Sequence, residues 1–274
     1  MNKLILASAS PRRNELLALL NIPFEVRPSS VDEGALSLSG PPARRTMDAA
    51  LAKASDVSRR SGSAWVLAAD TVVCVDERIL GKPRDAGEAR FMLSLLSGRE
   101  HLVITGFCLV RGDPGTPALF RTPDPALSST TDSSLTPTLK PTLSPALSRA
   151  SAPALSPTTD SSLTPVLSLT PKLPPALTPA LSDGALITYV AYERTKVWMA
   201  PLSQERISAY IDSGEPMDKA GAYGIQGLGG AFIPRIEGCF FNVMGLPLYR
   251  VARLLEQAGV GLDSPFWKEG SAND

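Results

Sequence analysis

The sequence has no surplus charge of either sign: Lys+Arg and Asp+Glu balance at 27 each over 274 residues. No global field therefore recruits nucleic acid or an anionic membrane, and any phosphate chemistry must rest on a few locally placed cations. Only one histidine, His101, is present. Nothing pairs it with a serine or cysteine nucleophile, so its expected role is structural. Cysteines number three, Cys74, Cys108 and Cys239, an odd count without metal-type spacing. Reduced, buried thiols in a reducing compartment follow, and with them a soluble cytoplasmic protein. The apolar run at 4–7 is too short for a signal peptide, and no stretch approaches the 18 apolar residues of a membrane span.

What is present begins with Leu4-Ile5-Leu6-Ala7-Ser8-Ala9-Ser10-Pro11-Arg12-Arg13. Four apolar residues read as a short buried strand that breaks into a helix. Ser10 stands at the N-cap and Pro11 in the first turn, where a missing N–H costs nothing. A helix start of this kind suits phosphate, and Arg12 and Arg13 add two guanidinium groups there. An ordinary strand–helix corner with solvated arginines fits the same residues.

Further along, a short strand is expected at 22–27 and an acidic loop holds Glu33. A helix is predicted over 42–58, with Met47, Ala50, Leu51, Ala54 and Val57 on one stripe and Lys53 off it. Lys53 reads as a solvated helix lysine unless it meets a ligand. Trp65–Ala69 forms a buried strand, and Asp70-Thr71 falls at its end, where an open α/β sheet keeps its chemistry. Asp70 is otherwise a buried carboxylate that caps neighbouring N–H groups. The β pattern resumes at 72–75 and again at 78–80, before the turn that carries Lys82. Asp85 and Glu88 form a capping box for a helix through Leu96, and 101–110 reads as a strand.

Between 112 and 182 the composition changes: 14 of the 25 prolines lie there, with one aromatic, Phe120, and the octet Thr130–Pro137 repeated at Thr158–Pro165. Dense proline forbids helix interiors and ladder donors, so this stretch reads as a disordered insertion in a hairpin tip. It divides a single domain, 1–111 with 183–262, and a tail follows at 263–274. Strand 185–199 is then expected, followed by a helix after Ser203, a strand at 232–236 and a last helix through Leu248–Leu255. Lys219–Gly230 holds five glycines within the ten residues 221–230, which implies close approach or positive φ, and Lys219 and Gln226 beside those glycines are ligand candidates.

Several cations with one or two carboxylates and no nucleophile suit phosphate ester or anhydride chemistry. Five ordered blocks carry a resemblance: LILASASPRR at 4–13, AADTVV at 68–73 with LGKPRD at 80–85, H-x-V-x-T-G at 101–106, DKAGAYGIQG at 218–227 and NVMGLP at 242–247. Together they resemble the Maf family of nucleoside triphosphate pyrophosphatases. The resemblance implies an elongated α/β fold with a mixed sheet and two lobes around a central cleft, commonly as a homodimer. It implies hydrolysis of a nucleoside triphosphate to the monophosphate and pyrophosphate with Mg²⁺ or Mn²⁺. Asp70 would activate water, Glu33 would join it at the metal, and Ser8, Arg13, Lys53 and Lys82 would hold the triphosphate. Arg12, Thr71 and Gln226 resemble the branch acting on dTTP and UTP, where a Gln amide matches a pyrimidine edge. Two alternatives stay open: a non-catalytic nucleotide-binding regulator of cell division, and the sister activity on 7-methylguanosine triphosphate.

Overall fold

The computed structural model describes residues 3–36, 38–76, 78–111 and 187–260. The insertion at 112–182 and the tail at 263–274 lie outside the described residues. The chain is of the mixed α/β class. Its strands are β1 (Leu4–Leu6), β2 (Phe24–Val26), β3 (Trp65–Val75), β4 (Arg78–Leu80), β5 (Glu100–Arg111), β6 (Ile187–Trp198) and β7 (Arg235–Glu237). Its α-helices are α1 (Pro11–Ala18), α2 (Pro42–Ser58), α3 (Ala86–Leu96), α4 (Gln204–Asp212), α5 (Phe240–Met244) and α6 (Leu248–Gln257).

The strands form one sheet in the order β2-β1-β3-β5-β6-β7, with β4 also paired to β3. β1 runs parallel to β2 and β3, whereas the long β3, β5 and β6 are antiparallel. Antiparallel register through Arg111 and Ile187 makes β5 and β6 the two arms of a hairpin on either side of the insertion.

Side chains alternate across these strands, and the alternation sorts them into separate cores. Leu67, Phe107 and Leu109 pack with α1 and α6 on one face. Val66, Ala68, Cys108 and Val110 pack under α2 on the other. Further along the sheet, Val73, Val75, Val103 and Val197 meet α3 and α4 in a third core.

Four local expectations are corrected. Ser10 occupies the N-cap of α1, but its hydroxyl makes no capping bond; its N–H donates instead to Ser8 Oγ at 3.2 Å. Glu88 does not close a capping box, because its carboxylate accepts from the N–H and guanidinium of Arg84; Asp85 alone caps α3. Trp65–Val75 is one continuous strand, so Asp70 lies in its middle rather than at its end. Of the run at 232–236, Phe232 ends a helical turn begun at Leu228, Ile233 and Pro234 lie in neither element, and β7 begins only at Arg235. Asn242–Met244 belongs to the short helix α5, which Gly245 ends with φ of 114°.

Candidate active site

The middle of β3 is usable because the sheet is interrupted beside it. One edge of β3 pairs throughout with β5, while the other pairs with β1 at 65–67 and with β4 at 73–75. Ala68–Val72 lies between those two partners on that edge. Strand alternation then sends neighbours to opposite faces: Asp70 toward α2, Thr71 toward α1 and α5.

On the α2 face, Lys53 Nζ lies 2.7 Å from Asp70 Oδ1 and 2.7 Å from Glu33 Oε1. Lys53 is buried at 7% exposure, which overturns the expected solvated position. The helix stripe against the sheet is Thr46, Ala49, Ala50, Lys53, Ala54 and Val57, rotated from the one predicted. Small residues decide it. Gly106 is the register partner of Asp70, and a Cβ built there would stand 2.4 Å from the Thr46 carbonyl carbon. Without that Cβ, α2 rests directly on β5 and carries Lys53 to Asp70.

Glu33 reaches the same ammonium from a single helical turn, Glu33–Ala35, whose start is capped by Asp32 accepting from Gly34 N–H. Burial raises the Glu33 carboxyl, but the bond to Lys53 and the charges of Lys53, Lys82 and Arg13 outweigh it and hold the carboxyl below its ordinary range. The two carboxylates therefore share one cation. Their oxygen donors suit a hard divalent ion, whose remaining positions phosphate oxygens and water would fill. Among the described residues no group of three or more His, Cys, Asp or Glu side chains is gathered as a protein-only metal site.

On the other face, Arg13 Nη2 donates to Thr71 Oγ1 at 3.0 Å and Nε donates to the Gly245 carbonyl at 2.9 Å. Burial lowers the Arg13 pKa from its ordinary value, against the opposing pull of Asp70 and Glu33. Ser8 is buried at the end of β1, where its Oγ accepts from Ser10 N–H. Lys82 is exposed, with Gly81 O accepting from Gly221 N–H beside it at 3.0 Å.

The glycine-rich segment is built differently. Glu215 accepts from Tyr210 Oη at 2.7 Å, Leu228 N–H at 2.8 Å and Gly229 N–H at 3.2 Å. A Cβ at Gly227 would stand 2.4 Å from this carboxylate, and one at Gly229 would stand 2.5 Å from the Tyr210 hydroxyl. Gly221 alone of the five glycines needs positive φ, at 70°. Lys219, a ligand candidate from the sequence, spends its ammonium within the loop by donating to Asp218 Oδ1 and to the Glu215 carbonyl. Gln226 sits exposed between the glycines. Arg12 closes the loop onto α1 by donating to Asp218 Oδ2 at 3.0 Å and to its carbonyl at 3.4 Å.

Sequence reasoning missed Glu215, Asp218 and Thr105. The signal for Glu215 was its place just before a glycine run whose N–H groups need an acceptor. A surface pocket of about 310 Å³ is lined by Ile225, Ile233, Pro234, Arg235 and Phe240, and none of Asp70, Glu33, Lys53 and Arg13 lies among its lining residues.

A mixed sheet that gathers guanidinium, ammonium and carboxylate groups beside a glycine loop defines an α/β protein whose arrangement suits a polyanionic ligand. The comparisons are more particular. A family model described as Maf-like protein matches residues 3–134 and 176–258. A protein of Symbiobacterium thermophilum named dTTP/UTP pyrophosphatase is 39% identical, over 94% of this chain and 95% of its own. One of Bacillus cytotoxicus with the same name is 36% identical over 95% and 98%. The chain belongs to the Maf family.

Proposed function

We propose that the chain hydrolyses dTTP and UTP to the monophosphate and pyrophosphate. The observation that carries this reading is the Asp70–Lys53–Glu33 cluster, set in the gap on β3's edge beside Arg13. A protein that only bound nucleotide would have no use for a carboxylate held in this position. The names carried by its relatives support the choice of substrates.

In this reading Asp70 accepts a proton from water as its oxygen attacks the α-phosphorus, and pyrophosphate leaves. Ser8, Arg13, Lys53 and Lys82 hold the triphosphate and take up charge that builds on its oxygens. Lys53 is the pivot, because it neutralises the two carboxylates until the anionic ligand competes for its ammonium. Asp70 and Glu33 would hold Mg²⁺ or Mn²⁺, which supplies further neutralisation of phosphate charge when bound. Arg12 acts through Asp218 on the glycine loop, and the Gln226 amide donates to and accepts from the pyrimidine edge. Thr71 contributes by holding Arg13.

The test is pyrophosphate release from each triphosphate with Mg²⁺, alongside Asp70→Asn. Turnover of dTTP and UTP should fall by about a thousandfold in the variant, the scale of losing a general base. Equal activity in the variant removes the mechanism. Preference for purines, 7-methylguanosine triphosphate included, removes the substrate assignment.

A further inference from the structure

The hydroxyls behind Arg13 form a chain whose proton direction can be worked out. Thr71 Oγ1 lies 2.9 Å from Thr105 Oγ1, and Thr105 Oγ1 lies 3.0 Å from the Asn242 carbonyl. A carbonyl only accepts, so the single Thr105 proton goes to Asn242. Thr71 must then donate to Thr105, and its lone pairs are left for the Arg13 N–H. The order is Arg13 to Thr71 to Thr105 to Asn242, with each hydroxyl proton committed inward.

Asn242 is itself fixed. Its Nδ2 donates to the Val103 carbonyl at 3.1 Å and to Thr195 Oγ1 at 2.9 Å. Thr195 Oγ1 donates to the Cys239 carbonyl and accepts from Cys239 N–H, which ties the start of α5 to β6. Thr105 and Asn242 have no exposure, and Thr195 has 1%. The same segment carries Gly245, whose carbonyl accepts from Arg13 Nε. Both acceptors of the guanidinium therefore trace back to one buried polar frame spanning β5, β6 and α5.

We infer that Thr105 and Asn242 are positioning residues for the Arg13 guanidinium, aiming it at the polyphosphate part of the substrate. This rests on the reading that Arg13 holds phosphate. The Thr71 proton is consequently turned toward Thr105 and away from the ligand. Losing the frame should weaken all substrates together and leave base preference unchanged.

The experiment combines Thr105→Val and Thr105→Ser with Arg13→Lys, which has no fork to engage Thr71. Steady-state kinetics with dTTP, UTP and a purine triphosphate are read beside calorimetric binding of inorganic tripolyphosphate. Thr105→Val should lower kcat/KM about tenfold for each triphosphate, mainly through KM, and weaken tripolyphosphate similarly. Thr105→Ser should restore both. In the Arg13→Lys background, Thr105→Val should change kcat/KM by less than about twofold, which a merely structural role would not produce. Should Thr105→Val fail to fold, Thr71→Val takes its place in the same cycle with the same expectations. Equal losses in the two backgrounds, or a change in base preference, overturn the inference. If Arg13→Lys leaves both tripolyphosphate binding and kcat/KM intact, the phosphate reading of Arg13 fails instead.

Discussion

The two parts of the candidate site are held in place by opposite means. In the strand-edge cluster, strands and helices carry most of the functional side chains: Lys53 meets two carboxylates, Asp70 and Glu33, and Arg13 donates to the neutral oxygens of Thr71 and Gly245. In the glycine-rich loop, side chains satisfy backbone. Glu215 takes two N–H groups there, and the Tyr223 hydroxyl shares a 2.7 Å hydrogen bond with His101 Nε2 in the interior. The first arrangement stores neutralised charge that a ligand can exchange. The second spends its polar groups on backbone shape and leaves Gln226 exposed. Disturbances should therefore separate into losses of turnover and losses of recognition.

Outside Asp70 itself, the largest effect is expected from the helix contact behind the cluster. Gly106→Ala places a Cβ about where the backbone of Thr46 and Met47 now lies, and backbone cannot rotate away. α2 must retreat, taking Lys53 from Asp70. Overpacking of this kind costs about 3 kcal/mol, and a displacement on the order of 1 Å costs about a hundredfold in rate. Urea denaturation and kcat for dTTP measure the two. An unchanged kcat would mean that the cluster does not depend on the close approach of α2.

Next in size is a pH effect at His101, the β5 residue that meets Tyr223 of the loop. Burial holds the His101 pKa at about 4, against an ordinary 6.5. An unfolded chain binds a proton near 6.5 that the folded chain refuses until about 4. The stability linked to neutral His101 is thus complete above about 6.5 and is lost as pH falls toward 4, by at most about 3 kcal/mol. His101→Gln keeps a polar partner for Tyr223 without titrating, so it should flatten that part of the denaturation profile. A wild-type profile level between 6.5 and 4.5 would show that the histidine is not held neutral.

Glu215→Gln should act more gently. Burial raises the Glu215 carboxyl, but donors from Tyr210, Leu228 and Gly229 outweigh it and keep it ionised below the ordinary range. The amide retains one acceptor oxygen and turns an NH₂ toward N–H groups, so the loop loosens. Discrimination between dTTP and a purine triphosphate should fall about tenfold, with tripolyphosphate binding unaltered. Loss of tripolyphosphate binding would merge the two regions that the comparison separates.

The contrast also explains what could be read beforehand. Strand and helix periodicity gave α2 at 42–58 and β4 at 78–80 with their observed bounds, because hydrophobic repeats report local geometry. The same periodicity placed Lys53 off the buried stripe. Which face of α2 meets the sheet depends on Gly106, which is 53 residues away in sequence and silent in any local pattern. Asp70, Glu33 and Lys53, which the fold brings together, were named beforehand because ordered motifs carried the family resemblance. Thr105, Asn242 and Glu215 were not, since a buried polar residue acquires meaning only from the partner that the fold brings to it.

The smallest effect is expected where neither region is touched. Arg111 and Ile187 are register partners in the β5–β6 hairpin, so their backbones already lie side by side. Deleting residues 112–182 leaves Asp183-Gly184-Ala185-Leu186 to join them. Four residues are an ordinary hairpin length, and Asp-Gly is a strong turn former. Cys108 and Val110, near the end of β5, belong to the core under α2, which the shorter loop leaves in register. Turnover of dTTP and the urea midpoint should therefore stay within about twofold and about 0.5 kcal/mol of the intact chain. A larger loss would give residues 112–182 a part in holding the sheet or the site, and the two-region account would then need a third.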